Sequence, residues 1–144
     1  MASKRETAIV ALVDAIKEGL ASRGTAVFRG TDLPELIPAG GAIKVEEGDA
    51  QTETILSPLT YAVTQGVTLT VAVAAGDEAD RDPAMDDLLT ALSDVLTTDR
   101  TLGGAVDWLE VGTPEFAVYE GDGAVKDATL SLALEFDTPD SPIT

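Results

Sequence analysis

The chain has 144 residues, the length of a single domain that can bury a core without covalent staples. It carries 26 acidic and 9 basic side chains, a net charge of −17, and neither histidine nor cysteine. Disulfides, thiolate zinc sites, Ser-His-Asp triads, Cys-His dyads and histidine-ligated metals are thereby excluded; any enzymatic chemistry would rest on carboxylates, lysine or serine, or on a hard cation held by oxygens.

The first helix is marked by a capping box, Ser3 and Glu6, and by Ile9, Leu12, Val13, Ile16 and Leu20 on one helical face. The pattern predicts a helix over 4–22, stopped at Gly24. Ala26 to Arg29 reads as a short strand. Gly30 to Gly41, with Pro34 and Pro38, reads as an irregular loop. Ile43 and Val45 alternate with charges and predict a second strand. Glu46 to Thr54 is acidic and polar and reads as a mobile loop.

From Thr60 to Ala75 the alternation is that of a strand, with Val67, Leu69, Val71 and Val73 on one side and Gly66 as a bulge or bend. Residues 76–81 read as a loop. Asp82-Pro83 then predicts a helix start, with an N-cap acid and proline at the first helical position. Met85, Leu88, Leu89, Leu92, Val95 and Leu96 form its apolar stripe. Asp99 to Gly104 turns the chain. Strands are expected over 105–111, around Phe116 and Val118, and at Leu130, Leu132, Leu134 and Phe136. The order α-β-β-β-α-β-β-β predicts an α+β fold: a mostly antiparallel sheet with two amphipathic helices packed on one face. A single domain is expected over 1–138, followed by a Pro-containing tail over 139–144 that cannot join a central strand.

Charge is uneven. Residues 1–44 hold six bases and five acids, whereas 45–144 hold three bases and 21 acids. Such an anionic surface argues against nucleic-acid binding, since phosphate affinity comes from Lys and Arg. No apolar run reaches the roughly 20 residues that span a bilayer. The start of the chain has no signal-peptide pattern, so a cytosolic origin is expected.

Candidate chemistry is sparse. Asp77, Glu78, Asp80 and Asp82 offer oxygens to a hard cation, but the EF-hand spacing is not met; a solvated loop plus a helix cap accounts for them. Carboxylate pairs are unspecific among so many acids. Lys44 reads as an exposed strand lysine. Leu102-Gly103-Gly104 lacks a phosphate-binding pattern and reads as a turn. Arg23, Arg29 and Arg100 are candidate inter-subunit partners for carboxylates, with local surface ion pairs as the alternative. Trp108, the single tryptophan, reads as core, with an interface anchor as the alternative.

Four features together resemble a bacteriophage tail terminator, the family of the lambda-type minor tail protein U or tail completion protein. They are the helix ending in Leu20-Ala21-Ser22-Arg23-Gly24, and the long strand Thr60 to Ala75 running into an Asp-rich loop. The others are the second helix followed by Asp99-Arg100-Thr101-Leu102-Gly103-Gly104-Ala105-Val106, and the closing strand Ala128 to Thr138. The resemblance covers nearly the whole chain and implies an α+β structural protein of the virion, not an enzyme, with no cofactor. Such proteins form a hexameric ring at the head-proximal end of the tail, assembled in the host cytoplasm. The ring caps the tube of major tail protein and presents a surface to the head-side connector. Within that picture, Glu46, Glu47, Asp49 and Glu53 are a candidate loop contacting the tail tube. Asp77, Glu78 and Asp80 are candidates for an acidic lumen through which DNA passes without specific binding. Alternatives are another neck or tube protein and, in a different class, an acidic DNA mimic that binds a basic partner.

Overall fold

The computed structural model describes residues 2–30, 37–74, 78–119, 125–139 and 141–143. Helix α1 spans Lys4–Leu20 and the Ser3 hydroxyl accepts from the Glu6 amide at 3.1 Å, so the capping box forms one of its two bonds. A single 3-10 turn, Ala21–Arg23, then ends at Gly24. The strands are β1 (Ala26–Arg29), β2 (Ala42–Leu56), β3 (Leu59–Ala74), β4 (Trp108–Val111), β5 (Glu115–Tyr119) and β6 (Val125–Thr138), with helix α2 (Glu78–Thr98) between β3 and β4.

All six strands form one sheet in the order β1-β2-β3-β6-β4, with β5 also on β6. Among the described residues only β1 and β2 run parallel; the other pairings are antiparallel. The long strands β3 and β6 pair from Tyr61–Thr138 to Ala74–Val125. On the other side of β6, β4 takes residues 132–135 and β5 takes residues 125–129. The two short strands therefore share one sheet edge, interrupted at Gly112-Thr113-Pro114.

Alternation decides what is buried. Val63, Val67, Leu69, Val71 and Val73 of β3 and Leu130, Leu132, Leu134 and Phe136 of β6 are each 5% exposed or less. Their register places them on one side of the sheet. They share a cluster with Ile9, Leu12 and Ile16 of α1 and Leu88, Leu92 and Leu96 of α2. Each such side chain contributes about 1.5–3 kcal/mol by leaving water. The fold is α+β, as the pattern of elements predicts.

Several expectations are corrected. Residues 46–54 are not a loop: they continue β2, hydrogen-bonded to β3 as far as the turn at Ser57-Pro58. Polar side chains there do not oppose a strand, because residues 47–56 are exposed on both faces and none needs to be apolar. The irregularity lies on β2, between Glu47 and Ala50, with Gly66 opposite it on β3. Helix α2 begins at Glu78, so Asp82 is not its cap and Pro83 lies inside it. The expected strand over 105–111 shortens to 108–111, because residues 101–105 form a turn.

Candidate functional site

The β2–β3 hairpin is the main feature outside the core. Strand β1 covers β2 only at Ala42–Val45, so the outer edge of β2 from residue 46 to 56 has no neighbour among the described residues. This arm ends in three apolar side chains: Ile55, Leu56 and Leu59 are 44%, 79% and 47% exposed. The candidate tube-contact acids Glu46, Glu47, Asp49 and Glu53 all lie along this strand. Edge strands commonly carry charges and bulges, which discourage unspecific pairing.

The base of the arm is tied to the body by a polar network. Gln65 occupies a position that alternation assigns to the core and is 2% exposed. Its carboxamide accepts from Arg5 Nε and donates to the carbonyls of Gly48 and Gly66, each at 2.8 Å. Arg5 also donates to the carbonyls of Pro142 at 2.9 Å and Ile143 at 3.1 Å. Arg5 thus joins the start of α1 to the C-terminal tail directly and to the bulge in β2 through Gln65. Residues 139 and 141–143 of the tail lie in no strand, and Arg5 holds the tail through these two carbonyls. The one signal for this network in the sequence is a lone glutamine inside an apolar alternation.

The three candidate interface arginines sit in different settings. Arg29 pairs with Glu6 of α1 at 2.6 Å and also with Glu47. The Arg29 guanidinium holds the Glu6 carboxyl below the ordinary glutamate range, and Glu6 raises Arg29 in turn. Arg100 donates to the Leu109 carbonyl at 2.9 Å and lies 4.7 Å from the centre of the Trp108 ring. Arg23 is exposed and has no ion pair among the described residues. The local-pair alternative therefore describes Arg29, while Arg100 is a cation–π and backbone contact.

Trp108 is not core. It is 42% exposed, and its indole Nε1 donates to Glu110 at 2.8 Å. Its partner on β6 is Glu135, on the side of the sheet opposite Leu109 and Leu134, which are fully buried. Parity, not hydrophobicity, sets its exposure. Lys44 is more buried than expected, with a side chain 14% exposed and its ammonium 4.0 Å from Glu46.

Of the candidate lumen acids, Asp77 lies outside the described residues. Glu78 opens α2, and Asp80 is exposed in its first turn, where a carboxylate complements the helix dipole. Asp82 receives Lys126 at 2.8 Å. Among the described residues no group of three or more carboxylates is placed to hold a metal ion.

Between α1 and the end of α2 lies a cleft of about 690 Å³. Among the described residues four carboxylates line it, Asp14, Glu18, Asp94 and Asp99, and no basic residue does. Asp99 fixes its rim. It accepts from the Thr101 hydroxyl at 2.6 Å, the Gly103 amide at 2.8 Å and the Thr101 amide at 3.0 Å. These bonds hold its carboxyl below the ordinary aspartate range. They also support a turn in which Leu102, Gly103 and Gly104 all have positive φ, 51°, 70° and 92°.

No protein-family model matches the chain, and no curated protein matches it.

Proposed function

We propose that this chain is a ring-forming structural protein of a bacteriophage tail, a tail terminator. The carrying observation is the β2–β3 arm. Its unpaired outer edge and apolar tip form a surface that a neighbouring chain can cover, and a heterologous contact of that kind closes a ring. In this reading both helices lie on one face of the sheet, which leaves the other face toward a lumen or an adjoining ring. The element order and the Leu102-Gly103-Gly104 turn agree with the resemblance noted in the sequence. The ring is hexameric, needs no cofactor and catalyses no reaction. It caps the tube of major tail protein at the head-proximal end of the virion, receives the head-side connector, and lets DNA pass along an anionic wall.

Light scattering across protein and salt concentration, followed by capping of purified tail tubes, tests this proposal. Six chains of 14.9 kDa give a closed species near 89 kDa. Six copies of −17 repel one another, so the ring tightens as salt is added. Tubes that elongate equally with and without the protein would overturn the reading. Tubes that incorporate it into long stacks would identify a tube protein instead.

The α1–α2 cleft favours a second reading, an acidic protein that binds a basic partner in place of DNA. It predicts a monomer or dimer, and a complex with the partner that weakens steeply with salt.

A further inference from the structure

Among the exposed large apolar side chains of the described residues, which also include Val10, Trp108 and Ile143, two groups lie on opposite edges of the sheet. One is the arm tip, Ile55, Leu56 and Leu59. The other is the β4–β5 edge, where Phe116 and Val118 are 54% and 51% exposed. Beside Pro114 this edge opens into a groove of about 330 Å³ against α2. Partly exposed Leu89 and Val111 line it together with buried Leu92, Leu96 and Leu130.

We propose that the arm tip of one copy seats in the α2/β4–β5 groove of the next copy, Leu56 leading. This rests on the ring reading only for closure; the contact itself needs no phage context.

Charge selects the occupant. In a chain of net charge −17, no residue from Thr54 to Ala74 is charged, and the tip lies within that stretch. Among the groove's lining residues Asp94 alone is charged. Two polyanions meet at least Coulomb cost where both surfaces are neutral. A cationic partner would meet only Asp94 in this groove, whereas the cleft between α1 and α2, with four carboxylates, would hold it better.

Geometry makes the contact intermolecular. Leu59 is separated from Val67 and Leu69, which lie level with the groove through Leu132 and Leu130, by about 30 Å along β3. A chain therefore cannot fill its own groove. Tip and groove are different patches, so the contact is head-to-tail and propagates until it closes.

The absence of cysteine gives a clean test. Leu56→Cys and Ser93→Cys are prepared separately; Ser93 lines the groove, and both residues are exposed. They are mixed and oxidised in about 1 M salt, where the Debye length is about 3 Å. A mixed disulfide forming at least about fivefold faster than between Leu56→Cys and Asp14→Cys supports the contact. Equal rates, or faster tip-to-tip disulfides, overturn it. Leu56→Asp gives a second readout. It should weaken self-association about tenfold or more while leaving the unfolding midpoint of the dilute monomer unchanged; unaltered self-association would overturn the contact. Tube capping separates the two proposals. Cross-linking without capping retains the contact and rejects the terminator. Capping without cross-linking does the reverse.

Discussion

Replacing Gln65 with leucine sets two accounts of β3 against each other. By alternation the position belongs with Val63, Val67 and Leu69, and a buried leucine would add about 1.5–3 kcal/mol. The hydrogen-bond network argues for the opposite sign. Leucine removes one bond to a guanidinium, a type that contributes about 1.5–3 kcal/mol, and two neutral bonds of about 0.5–1.5 kcal/mol each. It also leaves Arg5 Nε without its acceptor beside a packed core. Glutamine already buries an apolar stem, so the leucine gain is only partial. The net expectation is destabilisation by about 2 kcal/mol. In urea, where m is about 1–3 kcal/mol/M, the midpoint should fall by about 1 M at unchanged slope. Amide exchange at Gly48 to Gln51 should quicken with it, because the bulge loses its tether. An unchanged or raised midpoint would refute the argument and make residue 65 an ordinary core position.

Three further predictions follow from the described contacts. Asp99 has a lowered pKa in the folded chain, so its contribution to stability is complete above the unfolded aspartate pKa of about 3.9 and is lost as pH falls through the lower folded value. The stability difference between the wild type and Asp99→Asn should be flat from about pH 8 to 5 and shrink below that range, as read by denaturant titration; a difference that does not change with pH would contradict it. Gly41 has φ 83°, and an added Cβ would lie 2.6 Å from Leu88 Cδ2 and 3.1 Å from the Ala72 carbonyl oxygen. Gly41→Ala should cost about 2–4 kcal/mol from left-handed strain and overpacking, measured by thermal or chemical unfolding. Trp108, the single tryptophan, should emit as an exposed indole and be quenched by acrylamide, more so in Arg100→Ala; a blue-shifted, unquenched spectrum in the monomer would refute its exposure.

Periodicity was enough to locate the two helices, the β3 and β6 strands and the order of elements, because each signal is local; capping placed the start of α1 but misplaced that of α2. Ser3 with Glu6 and the stripe from Ile9 to Leu20 specify α1 without reference to anything distant. Alternation from Leu130 to Phe136 needs only one buried face. The composition, too, settles by itself that no thiol or imidazole chemistry is possible. Tertiary pairing decided the rest. Residues 46–56 have no apolar alternation because neither face is covered, and it is hydrogen bonding to β3 that makes them a strand. Trp108 is exposed because its register opposite Glu135 turns it away from the core, a fact about β6 rather than about tryptophan. Arg5, Gln65 and the carbonyls of Pro142 and Ile143 are far apart in sequence, and only folding brings them within hydrogen-bond reach. The apolar tip and the apolar groove are each ordinary in sequence; their placement on opposite edges of one sheet is a property of the fold, because strand order fixes which surfaces a single chain cannot bring together.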